Sequence, residues 1–495
     1  MTRQKQRRFG HVITTIIVFA LVSLGVFFGI QFITKTGFFR IPGVVYYDES
    51  LSDEEIAELQ TIFTEEVDLD KDVTISAANY LEKPALIEGE FLTSIKVPVA
   101  DYYSLVNNID ASVDELLSEE FLANNGISLV DVDSLDFTKK LLSLNSHYYL
   151  EDFNTGGVYR VLKFDSTKYT EEIVPLIGST FDKTFPSKDT VLTFAQTGVT
   201  ALSRGMNRKL QQVGDATYFA ANIGEFLSGF DLTHTSNESS FTDFASSENI
   251  CSDKRFIDTL TTIGLDIVEL TGNHNVDCGA QAALETADVY DANGIKMVGG
   301  GRNADEAAVP LNIAEKGTNI TMLAFNQSTG GATYGQRPGA NQYYEEVAAQ
   351  QIAEAKERGD FVIVDIQYYE CNAYASEYED PICDRANSSA GDQIGFFRHL
   401  IDLGADVVVG TSAHQPQTYE LYGNGAIYYG LGNLFFDQVW WPGTTRSLVL
   451  AHYFYNGKLL QTRIIPTVYG NEMQPRLLDA DTTRWFLERL QSVRP

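Results

Sequence analysis

The amino-acid sequence predicts an α/β protein: a layered sheet flanked by helices, preceded by a membrane-spanning helix and a small α/β accessory domain. Three observations carry this prediction. Residues 1–8 are basic and open onto a long uncharged apolar run. The stretch 36–175 has its own helix starts and short strands. From Val191 onward, short apolar runs alternate with amphipathic segments.

The anchor rests on charge and length. Arg3, Lys5, Arg7 and Arg8 precede residues 9–34, which contain no Asp, Glu, Lys or Arg. That span exceeds the ~20 residues a helix needs to cross a bilayer. The basic flank stays in the cytoplasm, which predicts a single-pass cell-membrane protein with its bulk outside the cell. A cleaved signal peptide would have an apolar region of ~7–15 residues and a small-residue cleavage site. Here the run is longer and leads into Lys35-Thr36-Gly37, without such a site.

The chain as a whole is acidic, with a formal charge of −31 from 67 acidic and 36 basic residues. This balance repels nucleic acid and excludes it as a partner class. Four cysteines lie in the second half: Cys251, Cys278, Cys371 and Cys383. An even count in an oxidising compartment predicts two disulfides. Three pairings are open; the sequence-local one is Cys251–Cys278 with Cys371–Cys383, worth ~2–4 kcal/mol per bridge. No C-x-x-C pair points to zinc.

In the accessory region, Ser52 with Glu55 three residues later forms a capping box. Val73-Thr74-Ile75 and Ser94–Val99 read as strands, and Asp110–Leu117 as a capped helix. The main domain, 191–470, offers strands at Val191–Ala195, Asp266–Leu270, Ile295–Val298, Ile320–Phe325, Phe361–Ile366 and Asp406–Val409. Helical stretches at Ala280–Asn293 and Tyr344–Arg358 lie between them, so the sheet is largely parallel in these segments. Asn456-Gly457 inside Tyr453–Leu460 signals a tight hairpin, which makes the sheet mixed. Residues 471–495 read as a C-terminal tail.

Ligands of open α/β sheets gather in the loops after the strands' carboxyl ends. Three polar clusters fit such places: Thr271-Gly272-Asn273-His274-Asn275, Asp231–Glu238, and Gly410–Gln417. They hold three of the seven histidines: His234, His274 and His414. Imidazole, carboxylate and amide oxygen are competent metal ligands. His11, His147, His399 and His452 occupy less distinctive places and read as structural.

In this order the clusters resemble the CapA family of capsule-synthesis and poly-γ-glutamate-biosynthesis proteins, relatives of calcineurin-type metallophosphatases. The resemblance runs from about 191 to 440. It rests on Gly272-Asn273-His274 with Asp277-Cys278-Gly279, on Gly294-Ile295 with Gly299-Gly300-Gly301, and on Asp402–Gly410. It continues through His414, Gln417 and Glu420 and through Tyr429-Gly430-Leu431-Gly432-Asn433 to Phe436. Thr197–Arg204 lacks the family's first aspartate, Gln367–Glu370 lacks its histidine, and Ser412-Ala413-His414 keeps one histidine of two.

The resemblance implies a metallophosphatase-like fold and one divalent metal ion held by Glu238, Asn273, His274 and His414. His234 and Glu370 stand as substitutes, and Arg204 as a contact for an anionic substrate. Glu238, His274 and His414 would carry catalysis. It also implies a capsule or envelope polymer and membrane synthesis subunits as partners. Two function classes stay open: a metal-assisted hydrolase or transferase, and a non-catalytic scaffold of a polymer complex with a degenerate site.

Overall fold

Every residue of the strand Phe361–Gln367 is buried, but its two faces bury against different things. Phe361 and Ile363 join one apolar cluster, whereas Val362, Val364 and Ile366 join another with Ile352 and Phe397. A strand covered on both faces lies between two layers, which is why its sequence runs apolar without alternation. The computed structural model describes residues 45–64, 73–86, 90–164, 183–328, 330–368 and 392–495.

Phe361–Gln367 belongs to a six-stranded sheet. Thr318–Asn326, Phe361–Gln367, Val407–Gly410 and Gly425–Tyr428 run parallel in that order. Antiparallel neighbours, Leu311–Glu315 and Tyr419–Tyr422, close its edges. A second sheet carries Lys296–Val298, Ile267–Glu269, Leu232–Asn237 and Leu192–Thr200 in parallel. It continues antiparallel through Arg446–Tyr455 and Lys458–Val468. Where one mixed sheet was expected, there are two. Leu192, Phe194, Ile267 and Leu450 of the second sheet share one core with Ile320, Met322, Ile363 and Val407 of the first. The sheets therefore pack face to face.

Helices cover the outer faces. Glu345–Glu357 and Gln393–Asp402 bury Ala348, Ile352, Phe397 and Leu400 on the six-stranded sheet. Met206, Leu210, Leu260 and Tyr290 do the same on the other. The order helix, sheet, sheet, helix follows from strands apolar on both faces. The expected hairpin is present: Asn456 and Gly457 both have positive φ, 49° and 76°, between Arg446–Tyr455 and Lys458–Val468. That conformation matches the twist of the strands, and Asn-Gly tolerates it best.

The described residues divide into two compact units, one within 45–96 and 157–185 and the other within 97–156 and 186–495. In the first, Val45–Tyr47, Val73–Tyr80 and Val158–Phe164 form neighbouring strands. Helix Asp53–Thr64 begins with the expected capping box, Ser52 N–H donating to Glu55 and Glu55 N–H donating to Ser52 Oγ at 3.2 Å. Residues 97–156, assigned to the accessory region by sequence, cluster with the larger unit. Residues 471–495 contain the helix Ala480–Ser492, whose Phe486 and Leu490 are fully buried. The expected anchor, 9–34, lies outside the described residues. Among the described residues no helix is long and apolar enough to cross a membrane.

Candidate functional site

Between the sheets, each inner face changes character along the parallel strands. Leu192 and Phe194 give way to Gln196, Leu232 to His234 and Ser236, Ile267 to Glu269, and Ile363 to Asp365 and Gln367. The polar ends are all buried, which is costly unless they bond one another. Gln196 Nε2 donates to Asp365 Oδ1 at 2.6 Å, and His234 Nε2 lies 3.1 Å from Asp365 Oδ2. His452 is held by Thr462 Oγ1 at 2.8 Å and Gln196 Oε1 at 3.3 Å. Burial pushes the Glu269 carboxyl up to about 7, with the charge of Asp365 adding to it. Burial pushes the His452 imidazole down to about 3, with His234 adding to it.

The polar seam leads to the carboxyl ends of the strands, where Glu238 follows Leu232–Asn237 and meets His414. His414 Nε2 lies 3.8 Å from Glu238 Oε2, with side chains 4% and 1% exposed. On its other side His414 Nδ1 lies 2.9 Å from Asn433 Oδ1. The tautomer follows from Asn433, whose Nδ2 donates to the Thr444 carbonyl at 3.0 Å and to Gln438 Oε1 at 3.2 Å. With its amino end so committed, Asn433 presents its carbonyl to the imidazole. His414 Nδ1 therefore carries a proton, and Nε2 is the ring nitrogen that faces Glu238. Gly272 allows the neighbouring loop to close over this pair: a Cβ there would lie 2.8 Å from Glu238 Cγ and 2.9 Å from its Cα.

The other expected residues divide. Asn273 sits on the loop that closes over Glu238, and its Oδ1 accepts from Gln367 Nε2 at 3.0 Å. His274 Nδ1 is 2.7 Å from Asp277 Oδ2, both side chains being partly exposed. The Cys251–Cys278 disulfide is present and ties that turn to the strand Cys251–Asp253. His234 does not join Glu238. The segment around it is a buried strand instead of a loop, and four residues along a strand place it ~13 Å from Glu238, beside Asp365. Arg204 is engaged by Asp437 Oδ1 at 2.5 Å and lies 4.6 Å from the Phe436 ring centre. Glu370, Cys371 and Cys383 lie outside the described residues.

Residues that the sequence reading did not assign to the site now have places in it. Asn433 orients His414, Gln367 holds Asn273, and Asn275 Nδ2 donates to the Leu270 carbonyl at 2.8 Å to fasten the loop. Asn433 carried a signal, since it lies in the Gly432-Asn433 step of a stretch already singled out.

Imidazole nitrogen and carboxylate oxygen are donors that divalent transition metals accept. A separation of 3.8 Å fits two ligands ~2.0–2.2 Å from one ion, and a second hydrogen bond fixing the imidazole is the usual support for a ligating histidine. Among the described residues no three His, Cys, Asp or Glu side chains gather as a metal-binding group. Glu238 and His414 would thus supply two ligands to an ion, and the rest would have to come from other groups.

Residues 193–438 match the family model of the bacterial capsule synthesis protein PGA_cap. The capsule biosynthesis protein CapA of Bacillus anthracis is 28% identical over 200 residues, covering 39% of this chain and 46% of that protein. The PGA biosynthesis protein CapA of Bacillus subtilis (strain 168) is 27% identical over 207 residues, 41% of this chain and 51% of its own. A probable polyglutamine synthesis accessory protein of Mycobacterium tuberculosis is 27% identical over 258 residues, 48% of this chain and 64% of its own. The chain thus spans about half the length of the Bacillus relatives it matches.

Proposed function

The chain belongs, through residues 193–438, to the PGA_cap family of bacterial capsule synthesis proteins, and from that membership we propose a role in making or exporting an anionic envelope polymer of the poly-γ-glutamate kind. In this reading residues 9–34 hold the chain in the cell membrane, N-terminus inside, and the larger unit works outside the cell among membrane synthesis subunits. The reaction class is hydrolysis or transfer at a phosphoryl or acyl centre.

One observation carries the site assignment: His414 Nε2 and the carboxylate of Glu238 lie 3.8 Å apart at the strand ends. Glu238 is almost fully buried, and a carboxylate taken out of water favours a cation or a proton beside it. His414 Nδ1 is turned to Asn433, so Nε2 is the ring nitrogen directed at Glu238. A bound divalent ion would polarise the substrate oxygen and ease deprotonation of water.

The test is metal analysis of the full chain in detergent, together with polymer output from cells expressing variants. Stoichiometric divalent metal that is lost in His414→Ala and Glu238→Gln, with polymer output falling in parallel, supports the reading. If neither variant changes polymer output while removal of the whole chain abolishes it, the chain is a scaffold and catalysis at this site is refuted.

A further inference from the structure

The larger unit contains a cavity of about 360 Å³, lined by residues of its 97–156 segment, the strand Lys458–Val468 and the helix Ala480–Ser492. Its size falls within the ~300–1,000 Å³ range of small-ligand sites. Neither Glu238 nor His414 lines it.

The walls are of two kinds. Leu141, Ile464, Leu478 and Leu487 make an apolar wall. Lys140 also lines the cavity, and its ammonium donates to the Ser104 carbonyl and to Asn107 Oδ1, both at 2.6 Å. An ammonium has three donors, so one remains. Both of these acceptors are neutral, and among the described residues no carboxylate lies within ion-pair distance of Lys140. Arg463 also lines the cavity, but Glu151 pairs with it. Ala480 and Thr483 bring the first turn of Ala480–Ser492 to the wall, its N-terminus already capped by Asp479.

A largely desolvated cation without a counter-charge is costly, and here the cost is visible: burial, and secondarily Arg463, lower the Lys140 ammonium to about 8. In a chain of net charge −31, a cavity with an uncompensated cation and no lining carboxylate departs from the general surface. A ligand that answers both walls has an anionic head and an apolar body. We propose that this cavity binds a small amphipathic carboxylate, with its headgroup on Lys140 and its hydrocarbon along Leu478 and Leu487.

The experiment is calorimetric titration of the full chain in a non-ionic detergent with decanoate, with decyltrimethylammonium as the opposite-charge probe. Saturable binding of one decanoate is expected, weakened tenfold or more in Lys140→Met and abolished in Thr483→Phe, which fills the cavity from the helix side. His414→Ala should bind as wild type does. Absence of saturable decanoate binding overturns the proposal, as does equal binding of the cationic probe or wild-type affinity in Lys140→Met. Both cavity variants are compared with wild type by near-ultraviolet circular dichroism, and a folded Thr483→Phe that still binds normally also refutes the site.

Discussion

Asn433 uses both ends of its amide, accepting from His414 and donating to Thr444 and Gln438, so one residue fixes an imidazole's orientation and its tautomer. Aspartate there would keep the acceptor and lose the donors, while leucine would lose both. If Glu238 and His414 hold metal, Asn433→Leu should weaken its affinity by ~10–100-fold, the usual cost of losing the partner that orients a ligating histidine. Titration with Mn²⁺ or Zn²⁺ measures this, and unchanged affinity would remove Asn433 from the site. Gly272 is the other decisive single residue. Alanine at this position brings its Cβ within 2.9 Å of two Glu238 atoms, one of them backbone, so the loop must move. Gly272→Ala should cost ~1–3 kcal/mol in urea unfolding, the range of overpacked interiors.

The parallel strands, taken as elements, carry a gradient from apolar to polar on their inner faces, and its consequences are electrostatic. Glu269 is protonated more easily folded than unfolded, because its folded value of about 7 stands above the ordinary 4.5. The folded state therefore binds the extra proton, and stability falls as pH rises from about 4.5 to about 7. His452 acts oppositely. Its folded value is lowered from 6.5 to about 3, so its contribution is complete above 6.5 and is lost as pH falls toward 3. Glu269→Gln keeps an acceptor for Thr271 and removes the charge. Relative to wild type it should gain about 3 kcal/mol on going from pH 4.5 to 7.5, read from urea unfolding at the two values. A parallel pH dependence in variant and wild type would show that Glu269 titrates normally. The hairpin at Asn456-Gly457 offers a contrast. Gly457 has φ 76°, so Gly457→Ala should lower stability by ~1 kcal/mol without altering the Glu238–His414 pair.

At the scale of the whole molecule, the Cys251–Cys278 bridge joins residues 27 apart and fastens the turn carrying His274 and Asp277. Loop closure of that length is worth ~2–4 kcal/mol through the unfolded chain. Replacing both cysteines by serine should lower the thermal midpoint, and the further drop caused by reductant should be smaller than in wild type. Equal midpoints for wild type and the double serine variant would show that the bridge adds no stability.

Period, punctuation and charge are local properties, and they were legible in the sequence: six strand segments, two helices, the Ser52 capping box and the Asn456-Gly457 hairpin. Ordered motifs likewise pointed to the family and to the loops bearing Glu238, Asn273 and His414. Two facing sheets were not legible, because a strand buried on both faces reads the same in one sheet or two. Nor was the fate of His234: a histidine two residues before Ser236 and four before Glu238 shares their face, but only the partner sheet supplies Asp365 to hold it in the interior. The anchor and the Cys371–Cys383 pairing rest on sequence alone. What tertiary structure decided was which polar side chains meet, since contacts between strands as distant as those near Glu238 and His414 depend on layer packing and register, which no local pattern encodes.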